Sequence, residues 1–189
     1  MCIRDRANPK HQAYESSAER AFSVVDLTAC YQDAPQNSGD QKQAAKQDGQ
    51  SADCARYLRG FRLDRRNDLA VIQDEIELRK PEAVYWFMHT QADLKIAADG
   101  RSATLTQDGR TLHATLSGTP EARFIAMEAR SMLADTPSAK TIEIAEFPQP
   151  QLRKLAVRTD GVTRVSFAVT FSRDGLRTPP DFDPLQSWK

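Results

Sequence analysis

The sequence predicts an all-β protein, an antiparallel β-sandwich with one long disordered loop, and three observations predict it. From Ala55 onward, side chains sort at a period near two, with Tyr57, Arg59, Phe61 and Leu63 set against Leu58, Arg62 and Asp64. That is the alternation of a strand whose successive residues point to opposite faces. Asp-Gly pairs at 99–100, 108–109 and 160–161 separate such segments, and Asp-Gly supplies the positive φ angles that two-residue hairpin turns need. The segments between them are rich in β-branched and aromatic residues, which fit a pleated, half-buried surface.

In chain order, Met1-Cys2-Ile3-Arg4-Asp5-Arg6 is the translation of ATG TGT ATA AGA GAC AG, which resembles a transposon mosaic-end adapter. Residues 1–6 are therefore read as a sequencing artefact and set aside, the other reading being a genuine basic N-terminus. On the first reading the chain is a fragment, and whether it has a signal peptide cannot be read from it. The β domain spans 7–175. Residues 9–23 are mixed and polar, with Tyr14 and Phe22 as first apolar anchors; Phe22-Ser23-Val24-Val25 and Leu27-Thr28-Ala29-Cys30-Tyr31 then read as strand. Within a polar insertion at 32–53, the stretch from Gln36 to Gln50 has no aliphatic residue larger than alanine. It cannot offset its ordering entropy by burial and reads as a disordered surface loop, with a short frayed helix as the second reading.

Val84, Trp86 and Met88 against Tyr85, Phe87 and His89 put apolar groups on both faces, so this strand is expected in the middle of the sheet. Leu94 to Ala97, Ala103 to Thr106 and Leu112 to Leu116 form a meander around the first two Asp-Gly turns. Ala122 to Ala129 contains good helix formers but follows Gly118-Thr119-Pro120; strand is the favoured reading for 121–133 and helix the alternative. Asp160-Gly161 is expected to turn a last hairpin between Leu155-Ala156-Val157-Arg158 and Thr163 to Phe171. The tail, 176–189, contains Pro179, Pro180 and Pro184 and reads as extended coil across the surface, with Trp188 frayed at its end.

At 189 residues the chain fits one domain with its own core. Lys plus Arg and Asp plus Glu each number 26, so the charge indicates neither a nucleic acid nor a membrane surface as partner. No apolar run approaches the roughly 18 residues of a membrane span. Cys30 and Cys54 flank the polar insertion. They read either as a disulfide closing its neck in an oxidising compartment or as two unrelated thiols.

The order Arg59-Gly60-Phe61-Arg62-Leu63-Asp64-Arg65, then Val71-Ile72-Gln73-Asp74-Glu75-Ile76, then Trp86-Phe87-Met88-His89-Thr90 resembles the C-terminal β domain of the heparinase II/III family. These are polysaccharide lyases that cut uronate-containing glycans by β-elimination. The resemblance runs from about Phe22 to Ser172 and rests on strand-and-turn patterns rather than a catalytic signature. It implies a β domain that forms one wall of a substrate cleft in a periplasmic or secreted enzyme. The partners implied are an acidic polysaccharide or oligosaccharide and an N-terminal helical toroid of the same chain; no cofactor is implied.

β-Elimination needs neutralisation of the uronate carboxylate, a base for the C5 proton and an acid for the leaving oxygen. Family members place base and acid mainly on the toroid and on a His-Asn motif at the start of the β domain. No His-Asn dipeptide occurs here, so no catalytic residue is assigned and the fragment alone is expected to be inactive. The resemblance marks Tyr31, Arg59 and His89 as substrate-binding candidates. Arg59 matches the Arg-Gly-Phe-Arg pattern, Tyr31 closes an Asp-Thr-Tyr-containing stretch, and His89 reads either as a sugar contact or as a core histidine satisfied within the sheet. Arg65 and Arg66 read as turn residues, and His11 and His113 as solvent-facing side chains without a chemical role. No metal site is proposed, because His89 has no ligating neighbour in sequence. The alternative is a non-catalytic carbohydrate-binding or structural sandwich.

Overall fold

The computed structural model describes residues 9–31, 54–129, 152–175 and 182–188. The expectations for 1–6, for the 32–53 insertion, for 130–133 and for 176–181 of the tail lie outside the described residues. Within them the chain is antiparallel β-sheet with two short 3-10 turns and no α-helix, an all-β sandwich as the alternation predicts. Nine strands form: β1 (Lys10–Ser16), β2 (Arg20–Asp26), β3 (Cys54–Asp64), β4 (Leu69–Thr90), β5 (Asp93–Ile96), β6 (Ser102–Gln107), β7 (Arg110–Gly118), β8 (Arg123–Glu128) and β9 (Arg153–Ser172). They order as β1-β2-β3-β4-β9-β7-β6-β5, with β8 pairing β9.

The long strands β4 and β9 run antiparallel from Leu69↔Ser172 to Thr90↔Arg153. β7 pairs the far half of β9, opposite Phe167 to Ser172, and β8 the near half, opposite Arg153 to Arg158. One core joins the two halves. Trp86, Phe124, Leu155 and Val157 pack in the same cluster as Leu105, Leu116, Val165, Phe167 and Val169. Most of β9 is buried, with Leu155, Ala156 and Val169 fully inaccessible. It is β9, with β4 on one side and β7 or β8 on the other, that occupies the middle of the sheet. Among the described residues the 84–88 segment expected there pairs only with β9, burying Trp86 on its core face and leaving Tyr85 and Phe87 half-buried on the other.

Local chemistry explains the agreements and the departures. Asp108 (φ 51°) and Gly109 (φ 72°) make the two-residue turn between β6 and β7, and Gly100 (φ 67°) sits in the β5–β6 turn. Asp160-Gly161 does not turn the chain. It lies inside β9 where the pairing to β4 shifts register between Glu82 and Val84, and Gly161 (φ 64°) takes up an extra residue as a bulge. A separate register shift, between Glu77 and Glu82, accommodates Pro81, which lies past the last β3 pairing at Leu78. Arg123 to Glu128 is strand, as favoured. Leu27 to Tyr31 is not: Asp26 Oδ1 accepts the Thr28 N–H at 2.8 Å and turns the chain into a 3-10 turn over Thr28–Cys30. β1 was not legible as strand because only Tyr14 gives it a large apolar side chain.

The end of the chain is packed, not frayed. Residues 185–187 form a 3-10 turn, and Leu185 and Trp188 are buried with Phe22, Val24 and Leu58 in a second, smaller cluster. Trp188 meets Phe22 edge-on at 6.1 Å between ring centroids, and the Arg62 guanidinium stands 5.1 Å from the Trp188 ring centre.

Candidate functional site

Residues directly opposite in antiparallel strands share a face, so the register maps what lies beside Arg59. One row on the core-side face reads His11, Val25, Arg59, Asp74, Phe167. The next reads Tyr14, Ser23, Phe61, Ile72, Val169, and the third Ser16, Ala21, Leu63, Ala70, Phe171. Each row starts in solvent on β1 and ends in the closed core on β9. Arg59 and Asp74 stand where the sheet passes from one to the other.

Asp74 is wholly inaccessible and accepts from Arg59 twice, Nε to Oδ1 at 2.7 Å and Nη2 to Oδ2 at 2.6 Å. The Tyr57 hydroxyl donates to Oδ2 at 3.1 Å and accepts from Arg59 Nη2 at 2.6 Å. This bidentate fork is the geometry in which an arginine–carboxylate pair compensates most of its desolvation. Tyr31 completes the cluster, its ring 5.0 Å from that of Tyr57. The turn carrying it is tied to β3 by Leu27 N–H to the Tyr57 carbonyl at 2.8 Å and by Tyr57 N–H to Thr28 Oγ1 at 2.9 Å.

The electrostatics follow from burial and from Asp74. Burial raises the Tyr57 hydroxyl well above the usual phenol range, and the neighbouring Asp74 charge adds to it. Burial likewise raises Tyr31, against a lowering by Arg59. For Arg59, burial works to lower the value, but the hydrogen bonds and charge of Asp74 outweigh it and leave the guanidinium above its ordinary range. Arg59 therefore stays charged, and both phenols stay neutral, across the physiological range. The Arg59 side chain keeps 25% exposure, and among the described residues its Nη1 makes no hydrogen bond.

The face beyond Arg59 is open. Tyr14, Phe61 and Leu63 are 67%, 44% and 49% exposed and lie on the same side of neighbouring strands. His11 borders them, its Nε2 3.1 Å from Ser23 Oγ and its ring 6.2 Å from Tyr14. The nine positions His11, Tyr14, Ser16, Ala21, Ser23, Val25, Arg59, Phe61 and Leu63 include no carboxylate. Such a shelf can hold a flat apolar ring face beside an anion paired to Arg59.

The structure thus brings Tyr31 and Arg59 together and leaves His89 apart. His89 lies at the far end of β4, past the bulge, exposed, opposite Lys154, and on the face away from the core. It is not a core histidine. Arg65 and Arg66 occupy the β3–β4 turn as expected. Cys30 is half-buried and Cys54 buried, and the two are not bridged; Cys54 Sγ instead donates to the Glu77 carbonyl of β4 at 3.7 Å. Tyr57, Asp74 and the Tyr14–Phe61 shelf were missed in the sequence, although one signal was present: Asp74 interrupts the same-face apolar series Ile72, Ile76. Among the described residues no cluster of His, Cys, Asp and Glu could hold a metal ion, and no helix is long and apolar enough to cross a membrane.

No family model and no curated protein matches the chain. Solved structures do match its fold. A heparinase III aligns with a TM-score of 0.54 at 8% identity, over 89% of this chain and 22% of that one. The heparan sulfate lyase HepC from Pedobacter heparinus, in a mutant form, aligns with a TM-score of 0.51 at 9% identity, over 91% of this chain and 23% of that one. The fold is shared with these lyases, and the chain spans under a quarter of their length.

Proposed function

We propose that this domain is the C-terminal β domain of a periplasmic or secreted polysaccharide lyase acting on uronate-containing glycans, and that its open core-side face forms one wall of the substrate cleft. The observation that carries the reading is Arg59. It is a guanidinium locked by a buried carboxylate at the edge of an aromatic shelf, on a fold shared with heparin and heparan sulfate lyases. Asp74 and Tyr57 hold Nε and Nη2, so Nη1 is directed to a ligand carboxylate or sulfate with little rotamer entropy left to lose. Tyr14 and Phe61 take the apolar faces of sugar rings, and Tyr31 lines the inner end of the shelf. His89, at the other end of β4, contacts glycan only if the chain reaches round the sheet edge.

In this reading the base and acid of β-elimination are supplied by a helical toroid of a longer parent chain, and the β domain contributes binding and orientation. The test is calorimetric titration of the chain with heparan sulfate oligosaccharides of defined length. Binding that weakens at least fivefold in Phe61→Ser and falls with added salt supports the wall. Wild-type affinity equal to that of Phe61→Ser, or binding to neutral and acidic oligosaccharides alike, contradicts it.

A further inference from the structure

We propose that residues 182–188 are an intramolecular strap that positions Arg59 from the opposite face of the sheet, with Leu185 and Trp188 as its positioning residues. The register makes the connection direct. Arg59↔Asp74 is flanked by the pairs Leu58↔Glu75 and Gly60↔Gln73, whose side chains point to the other face. The strap grips both. Gln73, 2% exposed, donates from Nε2 to the Asp183 carbonyl at 2.8 Å, and Glu75 Oε1 accepts the Leu185 N–H at 2.6 Å. Leu58 packs in the same cluster as Leu185 and Trp188.

Gly60 is the notch that admits the strap. A Cβ at this position would collide with Leu185 Cδ2 and lie 2.9 Å from Trp188 Cζ3. Its conformation does not demand glycine, since its φ is not positive; the requirement is space for the tail. The Trp188 ring is engaged edge-on by Phe22 of β2 and over its face by the Arg62 guanidinium of β3. The strap therefore spans β2, β3 and β4, the strands that present the open shelf. With it docked, the β3–β4 spacing at Arg59 is fixed from behind, and the fork to Asp74 is held in one geometry. With it released, the outer face at Leu58 and Gly60 is uncovered and the Arg59 pair sits on a wing no longer clamped. A short segment held by two buried side chains, Leu185 and Trp188, and two hydrogen bonds is drawn from the part of a fold that opens locally at low cost, so docking and release adjust the site without unfolding the core.

The experiment uses the 189-residue chain as wild type, Trp188→Ala, Trp188→Phe and Gly60→Ala, the last ejecting the strap without changing it. Hydrogen exchange is followed by mass spectrometry in β3–β4 peptides containing Arg59 and Asp74 and, as a reference, in the β6–β7 hairpin. Titration with a heparan sulfate oligosaccharide gives the second readout, which rests on the functional reading above. Expected are an at least tenfold faster exchange at Arg59 and Asp74 in Trp188→Ala and Gly60→Ala with the β6–β7 hairpin unchanged, and a dissociation constant raised about tenfold, equivalent to about 1.4 kcal/mol. Trp188→Phe should stay within threefold of wild type on both. Equal acceleration in both regions would mean a general loss of stability and overturns the proposal, as does an unchanged exchange rate at Arg59. If the wild type binds no oligosaccharide, the functional reading falls while the exchange pattern still decides the strap. If Gly60→Ala does not fold, Trp188→Ala decides it alone.

Discussion

Replacing Arg59 by alanine should be far more damaging than its partial exposure suggests, and the damage should be repaired by a second mutation. Asp74 is wholly inaccessible and takes two of its three side-chain hydrogen bonds from Arg59, the third coming from Tyr57. Arg59→Ala leaves a buried carboxylate with one phenol donor, and breaking a buried pair from one side costs about 3–5 kcal/mol. Removing both charges, in Arg59→Met with Asp74→Leu, removes the orphan and should recover most of that loss, to within about 1–2 kcal/mol of wild type. Urea unfolding followed by the fluorescence of Trp86 and Trp188, both buried, measures all three proteins. A loss under about 1 kcal/mol in the single mutant, or a double mutant no more stable than the single mutant, refutes the reasoning.

Further outcomes are expected. Tyr57 is raised well above the usual phenol value by burial, so in alkali the unfolded chain loses this proton while the folded chain keeps it. Stability is then level below about pH 9 and falls above about pH 10, by up to about 1.4 kcal/mol per pH unit from this group; Tyr57→Phe should flatten that part of the slope in pH-dependent urea curves. Trp86→Ala, at 4% exposure in the main core, should cost about 3–5 kcal/mol in the same assay. Gly109→Ala meets no neighbouring atom but must adopt φ 72°, and should cost about 1–2 kcal/mol by calorimetric melting.

How much of this was legible depends on whether the signal was local. The β6–β7 hairpin was, because Asp108-Gly109 carries its backbone angles in its residue types. The same dipeptide at 160–161 misled, since an identical positive φ serves a bulge when a long partner strand continues past it, and only the pairing of β4 with β9 decides between them. β1 was not legible, because an edge strand needs pairing rather than an apolar face of its own. Arg59 and Tyr31 were picked out as candidates, yet what unites them, Asp74 and Tyr57, became visible only when register set Asp74 opposite Arg59. The packed tail was missed for a related reason. Proline content suggested coil, and the spare room at Gly60 that receives Leu185 and Trp188 is a property of the folded sheet.

The most direct measurement of the central claim is a nuclear magnetic resonance titration of the isotope-labelled chain with a heparan sulfate oligosaccharide, reading which amides shift. The account predicts a continuous set across β1, β2 and β3 that includes Tyr14, Ser23, Arg59, Phe61 and Leu63, with the Arg59 side-chain Nε–H among the largest changes. Shifts confined to the opposite face, around Tyr85, Phe87 and Arg158, or no saturable shifts at all, would contradict it.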